Sequence, residues 1–452
     1  MRGRYKPGQM LSRRRYSVML HGLAAAIARV VLRRRPGPPP SAKPGKVTFL
    51  LMHPWGMGGT IRTVLNLAGH LAQTREVEVL GIVRTRHDPF FEFPAGVTII
   101  AVDDQRKGAR TAPGGRLLRR LPSLLFFPGD RASKGCSLWT DLMLVRALWR
   151  VRSGFLIGTR PALNMIALLA RRSGLVVIGA EHMHYSQHSD RLRAQIRKTY
   201  PDLDALVVLT DHDKREYRAA LPSRPRIVRI PNAVPALEPR RVGAPKPIVL
   251  AAGRLKPQKG FDRLILAFSK VAGAHPDWTL QICGRGPGRE ELEAMVRDEG
   301  LENRVILKGA VRNIADQMVQ ASMFVLSSRF EGLPMALIEA MSLGLPVVSF
   351  DCPTGPGEVI EHGHDGILVP NGDIEALAAA ISELISNRDM RRRLGLAASE
   401  KAATYSLAAV GPRWDDLLAS FEPSEEPRGN DPDRDDPAPV GLAVSPVRAA
   451  PA

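Results

Sequence analysis

Short, mostly apolar runs alternate with stretches of helical periodicity along most of this chain, and they do so in two successive series. The first series occupies 47–52, 77–83, 97–102, 155–157, 175–178, 206–209 and 227–230. The second occupies 248–253, 279–284, 305–307, 323–326, 347–350 and 367–369. Runs that are apolar on both faces suit strands buried between two helical layers, so each series predicts a parallel sheet wrapped by helices. A Pro-rich stretch over 235–247 separates them and reads as a linker. With 452 residues there is room for two such domains and tails. The expected organisation is an arm over 1–46, a first α/β domain over 47–234, a linker over 235–247 and a second α/β domain over 248–404. A terminal helical segment over 405–422 and a disordered Pro-, Asp- and Glu-rich tail over 423–452 complete it. Residues 376–403 read as one helix, and 414–421 as another. Residues 103–137 break the alternation: they are rich in Arg, Gly and Pro and carry an apolar patch over 124–127, which suits a surface loop or an insertion.

Hydrophobic residues at 44% and charged residues at 24% are ordinary for a globular protein. The net charge of +19 is unevenly placed: residues 1–46 hold 12 Lys/Arg and no acid, which leaves +7 for the rest. With aromatics at 5% and the basicity concentrated in a Pro-rich arm, a nucleic-acid partner is not indicated. No run reaches the 18 or so clean apolar residues that span a bilayer. The nearest, 18–32, contains His21, Gly22 and Arg29 between Arg13-Arg14-Arg15 and Arg33-Arg34-Arg35. It reads as an amphipathic helix on an anionic membrane surface, as a disordered arm, or as a start assigned too early. Basic, Pro-rich sequence follows it where a signal peptide would end in a small-residue cleavage site. The expected location is therefore cytoplasmic, with the inner face of the plasma membrane as a peripheral site. Cys136, Cys283 and Cys352 lie far apart and form neither a disulfide framework nor a zinc spacing.

The chemistry concentrates between the apolar runs of the second series. Arg329-Phe330-Glu331-Gly332-Leu333-Pro334 leads into a helix expected over 334–343, with Gly344 as its stop. Glu331 lies before that helix and Glu339 on it, eight residues later. A strand–turn–helix that aims free N–H groups and two carboxylates at a sheet's C-terminal edge can hold a polyhydroxylated, phosphate-bearing ligand. Taken alone, two acids at this spacing are as well explained by an amphipathic helix with a solvated face. Gly253-Arg254-Leu255-Lys256-Pro257-Gln258-Lys259-Gly260 places two cations five residues apart in a strand-to-helix turn, where both can reach a diphosphate. Further strand-to-turn glycines occur at Gly58-Gly59, at Gly284 and Gly286, and over 355–357. Glu181-His182-Met183-His184 follows the 175–178 run, so its side chains can face a cleft. The two histidines have no third ligand at metal spacing. Asp202-x-Asp204 precedes its strand, where a metal-binding pair would follow one, and Asp211-x-Asp213 overlaps a Thr210-Asp211 motif.

Taken together and in order, these motifs resemble the Glu-x7-Glu family of retaining glycosyltransferases with two Rossmann-like halves, the GT-B fold of glycosyltransferase family 4, also called glycosyl transferases group 1. The resemblance covers 47–422 and is strongest over 248–373. It implies two Rossmann-like domains facing across a cleft, with the terminal helix crossing back to the first. It also implies a donor-binding role for Gly253, Arg254, Lys259, Gly284, Gly286, Glu331, Gly332, Leu333, Met335, Ala336, Leu337, Glu339 and Leu368. Within that set, Arg254 and Lys259 clamp the diphosphate, Glu339 holds ribose hydroxyls, Glu331 contacts the sugar, and Leu368 borders the base. The backbone N–H groups over 333–337 help hold sugar and phosphate, except at Pro334, which has none. Gly59 lets the first domain approach the donor phosphate, and His182 stands on the sugar and acceptor side, with His184 as the alternative. The implied reaction moves a hexosyl unit from a nucleotide diphosphate sugar to a glycan, lipid-linked or polyol acceptor, with retention, no metal and no cofactor. The 350–356 variant resembles members acting on exopolysaccharide, lipopolysaccharide or wall polymers, where UDP-sugars are common donors. Two other readings stay open: a nucleotide-sugar epimerase of the same architecture, and a non-enzymatic polyanion- or membrane-binding protein.

Overall fold

The computed structural model describes residues 7–34, 45–109, 112–237 and 245–422. The tail expected over 423–452 and most of the linker lie outside the described residues. The first half runs α1 Pro7–Arg33, β1 Val47–Leu51, α2 Gly59–Leu71, β2 Val77–Arg84, β3 Val97–Asp104, α3 Gly115–Leu118 and α4 Leu138–Leu148. It continues through β4 Gly154–Gly158, α5 Pro161–Leu169, β5 Leu175–Ala180, α6 Asp190–Thr199, β6 Ala205–Val208, α7 Asp211–Ala220 and β7 Arg226–Arg229. The second half runs β8 Ile248–Ala252, α8 Phe261–Ala272, β9 Thr279–Cys283, α9 Arg289–Asp298, β10 Val305–Gly309, α10 Ala315–Met318 and β11 Met323–Leu326. Then follow α11 Met335–Ser342, β12 Val347–Asp351, α12 Pro356–Val359, β13 Ile367–Pro370, α13 Ile374–Ser386, α14 Arg388–Ala403 and α15 Leu407–Ala419.

Each series of apolar runs becomes one sheet. The first is seven-stranded in the order β3-β2-β1-β4-β5-β6-β7 and the second six-stranded in the order β10-β9-β8-β11-β12-β13. The strand pairings within both sheets are parallel. Parallel neighbours need crossover helices on both faces, which is why β1 and β8 are buried at all five positions. Helix α8 shows the complementary pattern: Phe261, Leu264, Ile265, Phe268 and Val271 recur at helical spacing and are buried against the sheet. In both sheets the chain reverses direction between the first strand and the fourth, and ligands of such folds gather at the C-terminal strand ends around that point.

Three expectations are corrected. The stretch 376–403 is two helices: Asn387, at φ −115° and ψ 91°, leaves the helical region, and its side chain caps α14 at Met390 N–H. The patch over 124–127 is no surface loop, because Leu125, Phe126 and Phe127 are buried in the first domain's core. Nor is the basic arm free: α1 packs on that core through Ala28 and Leu32, and His21 Nδ1 meets the Leu124 carbonyl at 2.9 Å. Of the readings of this arm, the helical one describes residues 7–33. No described helix is long and apolar enough to cross a membrane.

The chain crosses between the domains twice, and the crossings lie side by side. Val234, leaving the first domain, donates to the Tyr405 carbonyl at 2.8 Å and bridges Ser406, where the chain returns. Ser406 then caps α15, which buries Val410, Trp414, Leu417 and Leu418 on the first sheet's helical layer. Ion pairs His70–Asp415 at 2.8 Å and Arg75–Glu422 at 2.5 Å fasten it there. Glu422 also accepts from the Gly45 N–H at 2.7 Å.

Candidate functional site

The site grows from the C-terminal ends of β8 and β11. Beyond β11, Ser328 and Glu331 turn inward, and the Glu331 side chain is almost fully enclosed. Its Oε1 accepts from Lys259 Nζ at 2.6 Å and from the Ser328 hydroxyl. The Lys259 stem lies over Gly253, where a Cβ would stand 3.1 Å from it. Gly260, at φ 61°, passes so close to Ser327 that a Cβ would be 2.0 Å from its carbonyl oxygen. Arg329 holds this turn in place with a two-pronged pair to Asp262 at 2.6 and 2.8 Å, and its guanidinium keeps the Asp262 carboxyl below the usual range. Arg254 is exposed, and its guanidinium has no side-chain partner among the described residues. One motif cation is therefore held by a carboxylate, and the other, five residues before it, has no side-chain partner among the described residues.

Eight residues past Glu331, the Glu339 side chain stands on α11 and faces the other domain. Burial pushes its carboxyl pKa up, and Arg62 opposite pulls it down. Arg62 Nη1 donates to Glu339 Oε1 at 3.1 Å across the cleft and its guanidinium lies over the Phe91 ring. Arg62 lies three residues past Gly59, and the sequence motifs assign it no role. A signal was available: a cation in the first turn of α2 opposes the helix dipole, which points to a carboxylate partner elsewhere.

The first domain contributes a second contact. His182 is half-buried, its two ring nitrogens are covered beside Asn232, and among the described residues neither nitrogen has a hydrogen-bond partner. Burial pushes its pKa down to about 4, so the imidazole is neutral near pH 7. Its carbonyl oxygen passes 3.2 Å from where a Cβ on Gly332 would stand. His184 lies at the domain boundary. Its Nδ1 donates to Asp213 Oδ1 at 2.5 Å, and Nε2 meets the Glu331 carbonyl and the Thr354 hydroxyl. Burial opposes its charge, but the Asp213 carboxylate overcomes this and the pKa is raised. Glu358 crosses the same boundary and caps α7, accepting from Asp211 N–H at 2.8 Å and His212 N–H at 2.7 Å. The structure thus brings His182, Gly332 and Glu331 together and gives His184 the role of an interdomain tie.

The remaining expected residues divide. Gly332, Leu333 and Ala336 N–H groups have no acceptor among the described residues, whereas Met335 N–H is turned to the Leu333 carbonyl and Leu337 N–H to the Pro334 carbonyl. The expectation that all four motif N–H groups over 333–337 face a ligand is corrected for Met335 and Leu337, because the first helical turn uses them. At Gly284 a Cβ would be 1.7 Å from the Gly253 carbonyl oxygen, and at Gly286 2.2 Å from that of Leu255. The close approach of two backbone turns accounts for both glycines without a ligand. At Gly59 an added Cβ would meet nothing within 4 Å, so the start of α2 borders open space. Leu368 is half-buried on β13, in register with Ser349, and its N–H donates to His362. Elsewhere, Glu361, His364 and Asp365 bring ligand atoms within 4.8 Å of one another near β13, outside this cleft.

Facing parallel sheets with carboxylates, cations and free N–H groups at their C-terminal edges define a two-domain protein of the GT-B type. The chain belongs to the glycosyl transferases group 1 family. That family's model matches residues 238–401. The amylovoran biosynthesis glycosyltransferase AmsD of Erwinia amylovora is 30% identical over 275 residues, covering 59% of this chain and 77% of that protein. An exopolysaccharide phosphotransferase of Streptomyces coelicolor is 35% identical over 389 residues, 83% of this chain; the chain spans 41% of that relative's length. Among solved structures, sucrose-phosphate synthase from Thermosynechococcus elongatus superposes with a TM-score of 0.65 at 19% identity, over 83% of this chain and 98% of that one. Anabaena HepE in complex with UDP and glucose gives 0.64 at 17%, over 83% of this chain and all of that one. At these identities the structural likeness speaks for the fold.

Proposed function

We propose that the chain transfers a hexosyl unit from a nucleotide diphosphate sugar to an acceptor hydroxyl, with retention at the anomeric carbon, in the synthesis of a polysaccharide, glycolipid or wall polymer. The observation that carries this is the Lys259–Glu331 pair at 2.6 Å beside the unpartnered Arg254, with Glu339 on the helix that follows. In this reading Arg254 and Lys259 meet the negative charge that grows on the departing diphosphate, a role that asks for no metal. Glu339 accepts from the ribose hydroxyls, and the Gly332, Leu333 and Ala336 N–H groups donate to sugar or phosphate. His182, neutral and enclosed, can accept from or donate to a sugar hydroxyl without carrying charge. Neither glutamate is free to act as a nucleophile beneath the anomeric carbon, which favours same-face displacement with the leaving phosphate taking the acceptor's proton. Relatives named for amylovoran and lipopolysaccharide synthesis support the polymer setting, and UDP in complexes of HepE supports a UDP-sugar donor.

The test is nucleotide release from a panel of UDP-, GDP- and ADP-sugars, with and without a chelator, for the wild type and Arg254→Ala. One donor should turn over in both buffers, and the variant should lose about 10²–10³-fold in kcat. Proton NMR of the product reports the anomeric configuration. Turnover undiminished in Arg254→Ala would remove the proposed clamp, and an inverted product would remove the same-face mechanism.

A further inference from the structure

Helix α1 has two apolar faces, and the first domain covers one of them. Ala28 and Leu32 are buried against the core, but Met19, Leu23 and Ile27 are 64, 59 and 57% exposed, and Leu20, Val30 and Val31 lie beside them. Those six positions recur at helical spacing and form one stripe of α1, roughly opposite the docked side. The stripe does not end at the helix. Val31 shares a shallow groove with Leu142, Arg146 and Trp149 of α4, and Leu142 is itself 49% exposed.

The charge around this surface has one sign. Arg29, Arg33 and Arg34 are exposed on α1, and the sequence places Arg13-Arg14-Arg15 in its N-terminal half. Residues 105–152, which include α3 and α4, hold 11 Lys/Arg against two acids. Both acids, Asp130 and Asp141, are buried and spent on local hydrogen bonds. Asp103 and Asp104, just before this stretch, pair with Arg119 and Arg106. An exposed aliphatic ridge with a tryptophan, whose own segments over 7–34 and 105–152 carry exposed arginines and no exposed acid, fits the boundary between lipid headgroups and acyl chains. A second copy of this face would set arginine against arginine, so self-association is the poorer match.

We propose that α1 and α4 together form a membrane-facing surface that seats the first domain on an anionic bilayer. The aliphatic stripe enters the headgroup layer, and the arginines pair with lipid phosphates. This is more specific than a basic arm: the seat is a docked helix continued by α4, rigid with the domain that carries His182. It does not rest on the proposed reaction, since vesicle binding requires no donor.

The test is co-sedimentation of the full chain with phosphatidylglycerol-containing vesicles and with pure phosphatidylcholine vesicles. Binding is expected on the anionic vesicles only, weakening steeply as salt is raised. Leu23→Asp/Ile27→Asp should weaken it by about tenfold or more, and Leu142→Asp severalfold. The substituted side chains are exposed, so thermal unfolding midpoints close to wild type check that the fold is intact. Wild-type binding by Leu23→Asp/Ile27→Asp would overturn the proposal, and wild-type binding by Leu142→Asp would overturn the composite surface. Two further results would also overturn it: a dimer in sedimentation velocity that Leu23→Asp/Ile27→Asp dissociates, or binding to soluble polyglutamate as strong as to vesicles and indifferent to that variant.

Discussion

At the scale of single residues, the motif glycines do different work although they look alike in sequence. Gly284→Ala sets a methyl against the Gly253 carbonyl oxygen, and the two backbones must part. Denaturant unfolding should show a loss of about 1–3 kcal/mol or more. Gly59→Ala meets open space, so its stability should stay within about 0.5 kcal/mol of wild type, and any effect should appear in donor kinetics. The histidines also separate. His182 falls to about 4 in the folded chain from 6.5, so its contribution to stability is full above pH 6.5 and is lost as pH falls towards 4. That amounts to about 3 kcal/mol, and urea midpoints of His182→Gln should fall less steeply over this window than those of wild type. His184 has the opposite sign: its pKa is raised, so its contribution is full below 6.5 and is lost as pH climbs through the raised value. Sequence alone could place both histidines near the cleft. It could not tell the one whose pKa falls from the one whose pKa rises, because that depends on Asp213, which is 29 residues from His184 and hydrogen-bonded to it.

At the scale of elements, the strands were nearly all legible, since a run apolar on both faces has few homes other than a parallel sheet. Boundaries failed where one polar residue outweighed the periodicity, as at Asn387, or where a loop's apolar patch found a core, as at 124–127. The Glu-x7-Glu helix was legible as a carrier of chemistry, but its interdomain partner was not. The Arg62–Glu339 contact occupies the carboxylate proposed to hold ribose. Arg62→Ala should therefore free Glu339 and tighten nucleotide binding severalfold in calorimetry, since the empty cleft no longer offers a competing partner. Unchanged or weaker binding would mean that Arg62 itself contacts the ligand. Glu339→Gln should weaken binding whatever Arg62 does.

At the scale of the whole molecule, α15 ties the last described segment to the first domain. Trp414 is buried there among Val410, Leu417 and residues of α2. Trp414→Ala should cost about 3–5 kcal/mol, and hydrogen exchange should rise in α2 and β1 before it rises in the second sheet. Protection lost first from β8–β13 would show that α15 belongs energetically to the other domain. The crossing itself was an expectation from resemblance, because nothing local in 405–422 says which domain it joins. The Gly45–Glu422 bond adds a consequence. Gly45 and Glu422 meet at one point on the first domain, and the second domain is a loop between two adjacent crossings. Helix α1, which precedes Gly45, is likewise carried by the first domain. The second domain is joined to the first along one edge by those crossings, and the contacts of Arg62 with Glu339, His184 with Glu331 and Glu358 with His212 set its angle over whatever surface the first is fixed to.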